Sequence, residues 1–278
     1  MRFKNDRDYY HAITDEIHSQ SQDNEARAVE LRRDYALERC MSRFDASEVA
    51  VKGGFGVRTI VSPSPLTTDI DILLNKPEWR DMPKERAFIL AAEYIVDAIT
   101  DENKDRFKFS PVDHGHITDL RPDQAMGKIW VQVAIGDFTF STMQIDFGFK
   151  PDDTPIEHYC GRDVLAFAGV KNPAITTASR EYLAADKISL VLEQGVERPR
   201  DLIHAALLLE SGKFDPAILE PLVEKLARYR NVHDKLVHGL PDPERDWIIQ
   251  VDLVSKRYQI GISGQQCFDR VNDVLRKF

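Results

Sequence analysis

The sequence predicts an α+β protein, a sheet-forming half with flanking helices followed by a helical half. Two patterns carry this. Between about residues 106 and 149 apolar side chains recur at every second position. Ile129, Val131 and Val133 alternate, then Phe138 and Phe140, then Met143, Ile145, Phe147 and Phe149. Beyond Pro173 the apolar period becomes helical and stays so to the C-terminus. The chain therefore divides near residue 178, into units 1–178 and 179–278. At 278 residues it is long enough to bury a full core.

Taken in order, residues 7–45 read as helical, with a break near Ser19-Gln20-Ser21. Arginines 27, 32, 33, 39 and 43 share this stretch with Glu25, Glu30, Asp34 and Glu38. Such spacing predicts a solvated face laced with helix-spaced ion pairs. Glu48–Lys52 is a short strand or a helix end. Gly53-Gly54-Phe55-Gly56 breaks the middle of either, and Val61–Pro65 is a loop by composition. A strand follows at about 68–74, and Phe88, Ala91, Ala92, Ile95 and Ile99 mark an amphipathic helix over 84–100. A further helix is expected over 180–194.

Composition narrows the function. Apolar residues make up 42% and charged residues 30%, ordinary for a folded domain. The net charge of −9 counts against a broad nucleic-acid-coating role, so any such contact is expected to be local or helped by metal ions. Three widely separated cysteines, with no CxxC pair, support neither a zinc site nor a disulfide framework. The charged start and the lack of a long apolar run predict a cytoplasmic protein with no membrane partner.

One set of residues points to chemistry. In a strand, Asp69 and Asp71 project to one face with α-carbons about 7 Å apart, while Ile70 and Ile72 enter the core. Such a pair can converge on a metal ion, and magnesium favours carboxylate and phosphate oxygens. Alone, such a pair is usually only an acidic strand end. Asp146 lies opposite the apolar row 143–149, facing either solvent or, if its strand lies beside 68–74, the same site. Gly53-Gly54 can bring backbone N–H groups close to phosphate, or serve as a turn. No Gly-Lys-Ser/Thr follows, so it is not a P-loop. Lys187 sits on an apolar helix stripe and either snorkels outward or enters an anion-binding cleft. Pro199 and Asp201 suit the first turn of a helix, which by itself explains Asp201 as a cap.

Together these pieces resemble the AbiEii/AbiGii-type toxin nucleotidyltransferases, a branch of the DNA-polymerase-β-like superfamily. The residues that carry the resemblance are Lys52-Gly53-Gly54, Asp69-Ile70-Asp71, Gln144-Ile145-Asp146-Phe147, Ala185-Asp186-Lys187 and Arg200-Asp201, in that order over about 49–209. Three positions depart from the pattern: Phe55 where a small polar residue is common, Pro65 where an arginine is, and His204 where a second acid is. Arg58 is the nearest arginine that could replace the missing charge.

The resemblance implies a nucleotidyltransferase-type mixed sheet followed by a helical domain carrying Lys187 and Asp201. It implies transfer of an NMP from an NTP to an acceptor, tRNA in related toxins, with two Mg2+ ions and an antitoxin partner. Asp69 and Asp71 would hold both metals, and Asp146 the one that activates the attacking hydroxyl. Lys52, Gly53, Gly54, Lys187 and Arg200 would bind the nucleotide, and Asp201 would orient or deprotonate the nucleophile. Two alternatives stay open: an antibiotic-type enzyme with a small-molecule acceptor, and a non-catalytic NTP-binding module.

Overall fold

A single mixed sheet organises the first two-thirds of the chain. The computed structural model describes residues 3–22, 24–101, 105–113, 116–117, 126–210, 214–236, 238–240 and 243–277. The strands are β1 (Val49–Lys52), β2 (Asp69–Leu74), β3 (Phe107–Pro111), β4 (His116–Ile117), β5 (Gly127–Ile135), β6 (Phe138–Phe149), β7 (Ile156–Cys160) and β8 (Ala174–Ala178). Their order is β3-β5-β6-β2-β1-β8-β7, with β4 also pairing β5. The β2–β6 and β1–β8 pairs are parallel and the others antiparallel.

Helices α1 (Asp6–Ser21) and α2 (Glu25–Met41) precede the sheet, and α3 (Gly53–Ile60), α4 (Pro77–Arg80) and α5 (Lys84–Thr100) interrupt it. After the last strand come α6 (Arg180–Gln194), α7 (Pro199–Glu210), α8 (Pro216–Tyr229), α9 (His233–Leu236), α10 (Arg245–Arg257) and α11 (Gly264–Leu275). Capping sets several starts: Asn5, Asn24 and Ser179 each accept from a backbone N–H of the first turn, and Ser263 with Gln266 forms a capping box. The fold is thus α+β, a mixed sheet with N-terminal helices and a C-terminal helical region. No helix among the described residues is long and apolar enough to cross a membrane.

The buried apolar side chains form two clusters. One joins α1, α2 and α5 to the sheet face that carries Ile70, Ile72, Ile129, Val131, Ile145 and Phe147. The other joins α6, α7, α8, α10 and α11. The apolar row changes phase between Phe140 and Met143, and the structure accommodates it with a bulge, since Val133 pairs Ser141 while Ala134 pairs Thr139.

Three expectations need correction. The 174–178 segment is a strand between β1 and β7, so the helical region begins at Arg180 rather than Pro173. A helix does start at Gly53-Gly54, but the glycine run continues into it, with Gly56 inside α3 where Leu183 packs and a Cβ would meet Leu183 at 3.4 Å. The charges on α2 and just after it are not all a solvated face. Arg39 and Arg43 are buried against Asp105, at 2.7 Å each. Asp34 is buried between Arg58 (2.7 Å) and Arg162 (2.8 Å), and Glu38 pairs Arg162 at 3.2 Å. Burial alone would raise the Asp34 carboxyl, but the two guanidiniums hold it below its usual range. These partners are distant in sequence, so helix spacing could not reveal them.

Candidate active site

The register of the sheet builds the site. Lys52 on β1 is the Cα partner of Asp71 on β2, Asp71 of Asp146 on β6, and Asp146 of Lys128 on β5. Paired residues share a face, so four strands present one row reading Lys52, Asp71, Asp146, Lys128. A second row, one residue pair along, runs Asp69, Gln144 and Trp130. Both rows lie opposite the apolar face.

The glycines close the site from one side. Gly53 has φ +63, and a Cβ there would fall 1.9 Å from Asp71 Oδ2. Only glycine lets the Asp71 carboxylate rest against the start of α3. At Gly54 a Cβ would meet the Thr67 hydroxyl at 3.0 Å and the His204 ring at 3.7 Å. The first-turn N–H groups of α3 thus open onto the carboxylates, and an anion there meets the positive end of the helix.

Helices α6 and α7 supply the opposite wall. Lys187 does not snorkel: its side chain is 7% exposed, and Nζ lies 2.9 Å from Asp201 Oδ1 and 3.9 Å from Asp186 Oδ2. Burial alone would lower the ammonium pKa, but Asp201 and Asp186 raise it, so Lys187 is charged. Asp201, in the first turn of α7, also meets Arg198 at 3.6 Å. Asp186 is held in turn by Arg230 at 2.8 Å. Arg200 donates to the Leu66 carbonyl at 3.3 Å and lies over the Tyr258 ring.

All nine residues expected at the site, Lys52, Gly53, Gly54, Asp69, Asp71, Asp146, Lys187, Arg200 and Asp201, line one cleft of about 760 Å3. Arg58 does not line it; its guanidinium is turned onto Asp34 and the Ser64 carbonyl. The cleft also holds residues that sequence reasoning missed. Lys128 has Nζ 3.5 Å from Asp146 Oδ2, and its place in the strand alternation was the available signal. Thr67 donates to Asp69 at 2.7 Å. His204 is buried, and burial, with Lys187 nearby, pushes its pKa down to about 3, so the imidazole is neutral.

The donor set suits a hard divalent cation. Burial, with Asp69 and Asp146 adding to it, lifts the Asp71 pKa to about 6 against the pull of Lys52 and Lys187. Burial and Asp69 also raise Asp146, while its Gln144 and Lys128 contacts oppose this. Carboxylates crowded enough to resist ionising together are what a bound cation relieves. Among the described residues no three acids, histidines or cysteines are drawn into a closed metal cage. Magnesium does not require one, since one or two carboxylates with substrate phosphates and water commonly suffice.

With this geometry in hand, comparison with known proteins is decisive. The family described as "Nucleotidyl transferase AbiEii toxin, Type IV TA system" matches residues 35–259. The chain belongs to the AbiEii family. It is accordingly a nucleotidyltransferase-family toxin of toxin–antitoxin systems. Among solved structures, MenT4, a nucleotidyltransferase toxin from Mycobacterium tuberculosis H37Rv, is similar over 94% of this chain and 97% of its own. Its identity is 13% and its TM-score 0.59, a likeness of fold. JHP933 from Helicobacter pylori covers 89% of this chain and 92% of its own, at 14% identity and a TM-score of 0.46. A search of curated proteins finds no match. The stretch matched to the AbiEii family includes every residue of both carboxylate rows and all nine cleft positions.

Proposed function

We propose that this protein moves a nucleoside monophosphate from an NTP to a nucleic-acid acceptor, tRNA first among the candidates, and that an antitoxin partner restrains it. One observation carries the reading: a glycine helix start, three carboxylates on adjoining strands and a buried, charged lysine all face one cleft. Asp69, Asp71 and Asp146 are the residues that would hold Mg2+. Bound there, it would neutralise phosphate charge and align the reacting oxygens.

The chain's own groups divide the remaining work. The first-turn amides of Gly53 and Gly54 bind phosphate oxygens. Lys52, Lys187 and Arg200 supply positive charge to the triphosphate. Asp201 is already paired with two cations, Lys187 and Arg198, which favours an orienting role over that of a proton acceptor. His204, kept neutral by burial, offers a hydrogen bond without adding charge. We also read 1–178 and 179–278 as two domains that share the cleft.

The test is to incubate the purified protein with each α-labelled NTP, magnesium and total RNA, and to follow the label. Label in one RNA class supports the reading. Label confined to small molecules would favour an antibiotic-type enzyme, and NTP binding without turnover a non-catalytic module.

A further inference from the structure

The second row continues beyond the acids. Gln144 is the Cα partner of Asp69 on one side and of Trp130 on the other, so Trp130 stands two strands from Asp69 on the same face. At ordinary strand spacing that is about 10 Å, within reach of one nucleotide. Gln144 donates to Asp146 Oδ1 and so links the two rows.

Trp130 is 48% exposed, while its neighbours Ile129 and Val131 are fully buried on the other face. Beside it Val112, whose N–H donates to the Trp130 carbonyl at 2.8 Å, is 66% exposed. Lys128 and Lys108 lie on the same face, on β5 and β3, together with the exposed Gln132. Lys128 is two residues from Trp130 along β5, Lys108 lies farther off opposite Ala134, and Asp113 accepts from the Trp130 backbone N–H at 3.4 Å, so an exposed aromatic ring stands at the edge of a partly basic face on a chain of net charge −9. That combination is what unpaired nucleotides bind, the base on the ring and the backbone on the cations.

We propose that Trp130 is the stacking platform for an unpaired nucleotide of the acceptor strand, which the open face of β5 leads toward Asp69 and Asp146. The inference rests on the nucleic-acid-acceptor reading and names the surface that reading leaves unassigned. Continuity with the carboxylate rows through Gln144 favours an acceptor here over a protein partner.

The experiment measures Trp130 directly, without turnover. A short single-stranded oligoribonucleotide is titrated into the full chain without NTP, and tryptophan fluorescence is followed. Trp130→Phe provides the reference signal from the two remaining tryptophans. Quenching present in the wild type and absent from that variant is expected. In transfer assays Trp130→Ala should raise the KM for RNA about tenfold or more, the size expected for one lost base stack, with the KM for NTP unchanged. Trp130→Phe should keep most of the affinity.

Unchanged RNA KM in the Ala variant, with no Trp130-dependent quenching, would overturn the platform while leaving RNA nucleotidyl transfer standing. Trp130-dependent quenching in a protein that transfers no label to RNA would keep the platform and sink the function. Loss of antitoxin binding in Trp130→Ala with oligonucleotide binding intact would make this face a protein interface and overturn the inference.

Discussion

Asp71 and Asp146 are direct Cα partners across the parallel pair of β2 and β6, so two carboxylates distant in sequence share one register position. Asp69 stands two residues before Asp71 on the same face. Changing Asp69, Asp71 or Asp146 to Asn should lower turnover at least about a hundredfold, because each removes charge aimed at the reacting phosphate. Circular dichroism should show an unchanged fold. Wild-type rate in Asp69→Asn would show that the acids are misassigned.

The raised pKa of Asp71 has a stability consequence. Its carboxyl moves from the usual 3.8 to about 6 on folding, so the folded protein favours the protonated form. Stability from this group is therefore present below about pH 4 and is lost as pH rises to about 6. In metal-free buffer at pH 7, Asp71→Asn should be more stable than wild type by about 3 kcal/mol, with the gap closing toward pH 4. Magnesium should raise the wild-type melting temperature at pH 7 far more than that of the variant. Melting curves with the same pH dependence in both proteins would contradict this.

Lys187 and Asp201 form a buried pair, so each depends on the other. Lys187→Ala leaves Asp201, among the described residues, with the 3.6 Å contact to Arg198, and should cost about 3 kcal/mol in stability as well as most NTP use. Adding Asp201→Asn should restore much of the melting temperature but none of the activity. Lys187→Arg should retain more NTP use than Lys187→Ala, since it keeps the charge though not the compact shape. Full activity in the double variant would reduce Lys187 to a structural residue.

Much of this was legible because strands obey a period of two. The alternation in 68–74 and 143–149 put Asp69, Asp71 and Asp146 opposite the core rows, and the structure needed only to set the two strands side by side. Lys187 was half legible: its apolar stripe marked it as unusual, but its partner lies in the next helix. The short β8, Ala-Ile-Thr-Thr-Ala, was hidden beside a long helical segment and is a strand only because β1 and β7 flank it. Arg39 in α2 and Arg43 just after it misled because their partner, Asp105, comes from elsewhere in the fold. Trp130 was not legible as a surface residue of interest because the buried Ile129, Val131 and Val133 carry the alternation of its strand.

The two site glycines should differ. Gly53→Ala places a Cβ 1.9 Å from Asp71 Oδ2 in a left-handed backbone conformation, adding about 1 kcal/mol or more of strain and displacing the carboxylate. Gly54→Ala meets the Thr67 side chain at 3.0 Å without that backbone penalty. Steady-state assays should find Gly53→Ala the more damaging, chiefly in kcat. Equal activity of the two would show that the contact between Gly53 and Asp71 is dispensable.

The central claim is that the cleft transfers a nucleotidyl group. The most direct test supplies the same NTP labelled at either the α- or the γ-phosphate, with magnesium and RNA, and asks which label becomes acid-insoluble. The account predicts transfer from the α-labelled NTP only, abolished in Asp71→Asn. Transfer from the γ-labelled NTP alone would show a kinase-type reaction and contradict it.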